Sequence, residues 1–242
     1  MAASIDLTET QVFTVLRSFI LSVIPSIECI RGQVNRVAEP VGTDYIVMWP
    51  LFRERLKWNE SSYNDVAFVG SISGADLTVT QILTGIIATG QFISGQGIAA
   101  NTSITGQVSG TPGGIGVYTI TPTPQTVAST TIQAGTESVQ QGTKMTIQVD
   151  VHGPASGENA QILSTLMRDD IACQFFVDAG YNMAPLYAGD PHQAPFINGE
   201  QQFEEKWTFD AVLQINPNVT VSQQFAANVA IGLIEVYEAY PG

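Results

Sequence analysis

The chain has 242 residues, 44% of them hydrophobic, with two cysteines and a formal net charge of −13. That length and apolar content provide for one large or two small cores and argue against disorder. The acidity argues against a protein that grips nucleic acid or an anionic membrane, because both require Lys and Arg to neutralise phosphate.

From the N-terminus, Thr8-Glu9-Thr10-Gln11 forms a capping box. Val12, Leu16, Phe19, Ile20 and Val23 follow at helical spacing, and Pro25 closes a helix of about four turns. The apolar run 12–24 contains Arg17 and is too short to span a bilayer; no basic segment precedes it, so synthesis in the cytosol is expected. Tyr45-Ile46-Val47-Met48-Trp49 is wholly apolar, as a central strand would be. Residues 51–57 continue it, with Arg53, Arg55 and Lys57 on one side. Two readings stand for Arg53 and Arg55: an exposed edge paired with carboxylates, or a clamp on a neighbouring subunit.

Residues 66–135 carry a single charged side chain, Asp76, and no Lys or Arg. A break this sharp marks an inserted domain. Short Ile/Val/Thr runs at 67–73, 76–83, 90–93, 103–108, 116–121 and 127–132 alternate with turn signals at Ser109-Gly110 and Gly113-Gly114. They predict a small β-sandwich or barrel whose edges must be covered, since few charges guard them.

Beyond the insert, Met145, Ile147, Val149 and Val151 alternate with Lys144, Thr146, Gln148 and Asp150, and Gly153-Pro154 stops that strand. A second helix is predicted over 158–178, with Gly180 as its C′ residue. Residues 181–199 hold three prolines and are expected as a loop. Its Tyr181, Tyr187 and Phe196 are apolar rings on an expected surface, where they either pack back on their own domain or touch another chain. Residues 207–215 alternate as a strand, Asn216-Pro217-Asn218 turns the chain, and 219–221 and 228–237 return extended. The fold class is α+β: residues 1–65 and 136–242 form a mainly antiparallel sheet with two helices on one face, and 66–135 form an inserted all-β domain.

The catalytic inventory is sparse. His152 is expected exposed at a strand end, and His192 lies between prolines without partners. Cys29 and Cys173 are expected as two buried thiols. The sequence contains no C-x-x-C, H-E-x-x-H, G-x-S-x-G or Walker A pattern. Asp169 and Asp170 point about 100° apart on a helix, which favours a solvated face over a metal site. Neither catalysis nor a cofactor nor a metal is expected.

Several segments, taken in order, carry a resemblance. They are Asn35-Arg36-Val37-Ala38-Glu39-Pro40, Pro50-Leu51-Phe52-Arg53-Glu54-Arg55-Leu56, the strand 145–151 with Gly153-Pro154, and Leu166-Met167-Arg168-Asp169-Asp170. Ala184-Pro185-Leu186-Tyr187 with Asp190-Pro191, and Asn198-Gly199-Glu200-Gln201-Gln202 running into Glu204-Glu205-Lys206-Trp207, complete the set. Together they resemble the neck or tail terminator family of long-tailed bacteriophages. The stretch Gly113-Gly114-Ile115-Gly116-Val117-Tyr118-Thr119-Ile120, followed by Gln125-Thr126-Val127-Ala128-Ser129-Thr130, resembles a Gly/Thr-rich β module of phage virion proteins.

The resemblance implies a structural virion protein at the head-proximal end of the tail. It implies a ring, usually a homohexamer, joined to head connector and neck proteins on one side and to tail tube or sheath proteins on the other. DNA would pass through the lumen without specific binding, along an acidic wall, and no membrane is involved. The subunit interface is expected to include Arg53, Arg55, Tyr187 and Phe196. Two alternatives stand beside it: a tail-tube or baseplate component, and an adhesin with the inserted β domain as binding module.

Overall fold

The computed structural model describes residues 3–32, 40, 42–194, 196–197 and 203–223. In chain order the elements begin β1 (Ala3–Ile5), α1 (Glu9–Val23), β2 (Glu28–Arg31), β3 (Tyr45–Arg55), β4 (Glu60–Gly74), β5 (Asp76–Thr84), β6 (Ile93–Gly95), β7 (Ser103–Gly110) and β8 (Gly116–Thr121). They continue β9 (Gln125–Gln140), β10 (Thr143–His152), α2 (Ser156–Leu166), α3 (Asp170–Asp178), β11 (Met183–Ala188), β12 (His192–Gln193), β13 (Phe196–Ile197), β14 (Phe203–Glu204), β15 (Lys206–Ile215) and β16 (Asn218–Ser222). The chain divides into two compact units, with boundaries inside β1, β4, β9 and β16.

The first unit spans 4–61 and 139–219. Its sheet runs β11-β15-β10-β3-β2, with β12 also on β15; every pair is antiparallel except β2 with β3. Helix α1 starts as its sequence dictates. The Thr8 side chain accepts from the Gln11 N–H at 3.3 Å, and the Gln11 side chain accepts from the Thr8 N–H at 2.7 Å. The buried face of α1 (Val12, Phe13, Val15, Leu16, Phe19 and Ile20) joins Met145, Ile147, Val149 and Val151 of β10 in one core. Ala160 and Leu163 of α2 and Ala172 and Phe176 of α3 complete it, so the helices cover one face of the sheet.

The expected helix over 158–178 is two helices. Asp169 takes an extended backbone, φ −103° and ψ 162°, and its carboxylate accepts from the Ile171 N–H at 3.1 Å. It therefore caps a new helix rather than continuing the old one, as Asp does when its side chain competes for backbone N–H groups. Arg168 holds the break from the other side, donating to the Ala188 carbonyl at 2.8 Å and to Asp190 at 2.7 Å. Gly180 ends α3 at φ +75°, the left-handed C′ position. Gly153 stops β10 at φ +100°, where a Cβ would run into the Thr43 carbonyl oxygen.

The expected loop 181–199 contributes sheet strands. β11 pairs with β15 through a bulge between Pro185 and Tyr187, and β12 pairs with its other half. Pro185 is tolerated there because β11 lies at the sheet edge, where one side needs no ladder bonds. Residues 228–237 lie outside the described residues.

The second unit comprises 62–138 and 220–223 of the described residues, with Ala3. Its strands belong to an eight-stranded sheet of order β1-β16-β9-β4-β5-β8-β7, with β6 on β9. Ile93 donates to the Thr102 carbonyl and Ile104 to the Gln91 carbonyl, both at 2.9 Å. Residues 91–93 thereby join β7, and the circuit β9-β4-β5-β8-β7 closes back through β6. Closure protects the edges that so few charges leave unguarded. Phe68, Ile72, Leu77, Val79, Ile104, Tyr118 and Ile132 fill its interior.

Candidate assembly surface

Register assigns each functional side chain to a face of the six-stranded sheet. Arg53 stands opposite Met145, on the helix side. There Glu9, the first residue of α1, accepts from Arg53 at 2.7 Å and also pairs with Arg31. The Arg31 guanidinium lies 4.4 Å from the centre of the Phe13 ring. Arg53 thus has a carboxylate partner within its own chain. Arg55, opposite Thr143, has none among the described residues. With the Gln141 amide turned so that its oxygen faces Arg55, Nε and Nη2 both donate to it at 2.9 Å. Lys57 reaches Glu60 at 2.8 Å.

The opposite face of the sheet carries Tyr45, Val47, Trp49 and Phe52 from β3 beside Thr146, Gln148, Asp150 and His152 from β10. Lys144 pairs with Glu54 on this face, and that hydrogen bond raises the Lys144 pKa. Asp150 is 4% exposed and accepts from Trp49 Nε1 at 3.0 Å, Gln148 Nε2 at 2.7 Å and Lys206 Nζ at 3.3 Å. Tyr187, opposite Val212, shares the face and is half exposed. Phe196 stands in β13, and its side chain lies outside the described residues.

His152 is buried rather than exposed. Its ring stacks on Tyr45 with centroids 4.4 Å apart, and Nδ1 lies 3.1 Å from Glu204. Pairing on both sides, with Tyr45 on β3 and Lys206 on β15, places the ring inside the sheet rather than at its fringe. Burial lowers the His152 pKa, against the pull of the Glu204 carboxylate. The cysteines also divide: Cys29 is buried in the core, and burial pushes its thiol up to about 12, whereas Cys173 is exposed on α3. The polar cluster around Asp150 could not be found from the sequence until register set Trp49, Gln148 and Lys206 around one carboxylate.

Two exposed surfaces of this unit mix apolar and charged groups. At the end of β3 and beyond it, Leu51, Leu56 and Trp58 are exposed near Arg53, Arg55 and Lys57 in the chain, with Phe52 exposed on the other face. On the helices, Ile162, Ile171 and Val177 are exposed among Glu158, Asp169, Asp170 and Asp178. A shallow groove along α3 is lined by Asp169, Asp170, Ile171, Gln174, Phe175 and Asp178. Among the described residues no cluster of three or more His, Cys, Asp or Glu is placed to hold a metal ion. These are surfaces suited to binding other proteins.

A family model described as phage neck terminator protein matches residues 79–236. The matched span begins inside the charge-poor stretch, so residues 79–135 of that stretch fall within it and residues 66–78 lie before it. The segments 35–40 and 50–56 that carry part of the resemblance lie before it. No curated protein matches the chain.

Proposed function

The chain belongs to the phage neck terminator family, and from that premise we propose that it forms a ring, of six copies, closing the head-proximal end of the tail. Membership gives it a structural role in the neck of the virion. The ring joins head connector proteins above to tail tube or sheath proteins below, and DNA passes through its lumen. The observation that carries this reading is the family match over 79–236. The net charge of −13 supports the conduit, since a wall that neutralises no phosphate lets DNA slide. Arg53, Arg55, Tyr187 and Phe196 are proposed at the subunit interface. The role requires no catalytic step, and the protein is proposed to be non-enzymatic. The charge-poor unit is proposed to be an inserted domain that folds independently and projects from the outside of the ring.

The deciding experiment is deletion of the gene in the parent phage, with particles viewed by electron microscopy. The expected result is filled heads separate from tails, with tails of uncontrolled length. Joined particles that merely fail to adsorb to cells overturn the proposal in favour of an adhesin. Extended tubes of the protein itself, seen in wild-type tails, overturn it in favour of a tube component.

A further inference from the structure

The two mixed surfaces of the 4–61 and 139–219 unit are opposite in charge. Residues 51–58 hold Arg53, Arg55 and Lys57; Glu9 engages Arg53, Glu60 engages Lys57 and Glu54 turns to the other face to meet Lys144, so Arg55 is the cation of this segment without a carboxylate partner among the described residues. Trp58 is 85% exposed beyond the end of β3, and Leu51 and Leu56 are about half exposed; Phe52, also half exposed, stands on the other face with Glu54. The α2–α3 surface holds Glu158, Asp169, Asp170 and Asp178, and its only cation, Arg168, is engaged by Asp190 and the Ala188 carbonyl. None of those four carboxylates has a cationic partner within its own chain among the described residues. Ile171 is 56% and Val177 66% exposed on the same helix.

The surfaces lie toward opposite edges of one sheet. Helix α3 packs against β11, the strand at one edge. At the other, β2 pairs only with Tyr45, Ile46, Val47 and Met48 of β3. The continuation of β3 through Arg55 has β10 on one side and, among the described residues, no strand on the other. A basic apolar surface at one edge and an acidic apolar surface at the other make a head-to-tail contact between copies, the arrangement that generates rings when its rotation closes.

We propose that residues 51–58 of one copy dock on the α2–α3 face of the next, with Arg55 facing the Asp170 and Asp178 carboxylates and Trp58 covering Ile171 and Val177. This rests on the ring reading and names the surfaces that make the ring. Arg55 is suited to the role, since no carboxylate of its own chain among the described residues engages its guanidinium.

The test is a charge exchange in the complete chain, supplied to the deletion phage and scored as joined particles by electron microscopy. Arg55→Glu alone and Asp170→Lys with Asp178→Lys are each expected to lower joined particles by about tenfold or more, because like charges then face each other. All three changes together are expected to restore joining to within about threefold of the wild type. Asp169 is left alone because it caps α3. Thermal melting of each purified variant confirms its fold; where a reversal unfolds the protein, Arg55→Gln and Asp170→Asn with Asp178→Asn replace it, with additive losses overturning the contact and a combined loss no worse than either single loss supporting it. A combined reversal no better than the worse single reversal overturns the contact, as does normal joining by every variant. Averaged images of wild-type necks separate the two ideas: a ring with indifferent variants sinks only this contact, whereas necks without a ring sink the function on which it rests.

Discussion

The Trp49 indole donates to the Asp150 carboxylate at 3.0 Å across the β3–β10 pair, on the side of the sheet away from the helices. Trp49 stands opposite Gln148, two positions from Asp150, so the bond is diagonal and staples neighbouring strands. The same carboxylate holds Gln148 and Lys206. Asp150→Ala removes the acceptor of the Trp49 indole N–H and of the Gln148 amide and one partner of Lys206, and is expected to cost about 1–3 kcal/mol, the penalty of leaving a buried donor unsatisfied. Chemical denaturation measures it. A cost indistinguishable from zero would return Asp150 to an ordinary solvated strand face.

Stability is expected to fall as pH drops below the ordinary histidine value of 6.5, because His152 titrates lower in the folded chain. In that window the unfolded chain binds a proton that the buried ring takes up less readily, so protons favour unfolding. The loss begins near the unfolded value and levels off once pH passes below the folded one. His152→Gln is expected to flatten this part of the profile, as followed by urea midpoints between neutral and mildly acid pH. An unchanged slope in the variant assigns the effect to other groups.

The two thiols are expected to react at very different rates with an aromatic disulfide reagent under native conditions. Cys173 is exposed on α3, whereas Cys29 is buried with its thiol pushed up to about 12, and it is the thiolate that reacts. One equivalent of thiol is expected promptly and the second only on unfolding. Cys173→Ser should abolish the prompt phase; its survival would mean that Cys29 is open to solvent.

Duplex DNA is expected to show no measurable binding at physiological salt. The described cations are largely engaged, Arg31 and Arg53 by Glu9, Lys57 by Glu60, Lys144 by Glu54, Arg168 by Asp190 and Lys206 by Asp150. Among the described residues no basic stripe remains to neutralise consecutive phosphates. A gel shift at micromolar protein that weakens with added salt contradicts this.

Legibility followed the range of the interactions. The start of α1 was readable because Thr8 and Gln11 settle it between themselves, and β10 because Met145 to Val151 alternate without interruption. The break at Asp169 was hidden because Asp-Asp after a helical run suits both a solvated face and a cap, and Arg168 chooses between them through Ala188 and Asp190, 20 and 22 residues on. The short parallel strand β2 had no pattern of its own; its place comes from lying beside Tyr45 to Met48. The same holds for the assembly surface. Arg53 and Arg55 stood out as a pair, yet only the fold showed that Glu9 of α1 engages one while the other has no carboxylate partner among the described residues.

The two buried clusters share no residue, which makes their independence measurable. The larger draws only on positions before 49 and after 144, and the smaller lies wholly within 66–134. Phe19 and Phe68 are each fully buried, one in each cluster. Removing either ring is expected to cost about 3–5 kcal/mol locally, through lost burial and the cavity left behind. If the units fold separately, Phe19→Ala lowers one calorimetric transition and Phe68→Ala the other. Replacing 66–135 by a short Gly/Ser linker is then expected to leave the Phe19 transition cooperative, since closing a short loop adds little entropic cost. That replacement also removes Gly90, whose carbonyl accepts from Ser222, so β16 loses a partner and the remaining transition is expected to soften without vanishing. A single transition that both alanine variants shift together, or loss of cooperative melting in the linker variant, shows instead that the charge-poor stretch is a structural part of one folding unit.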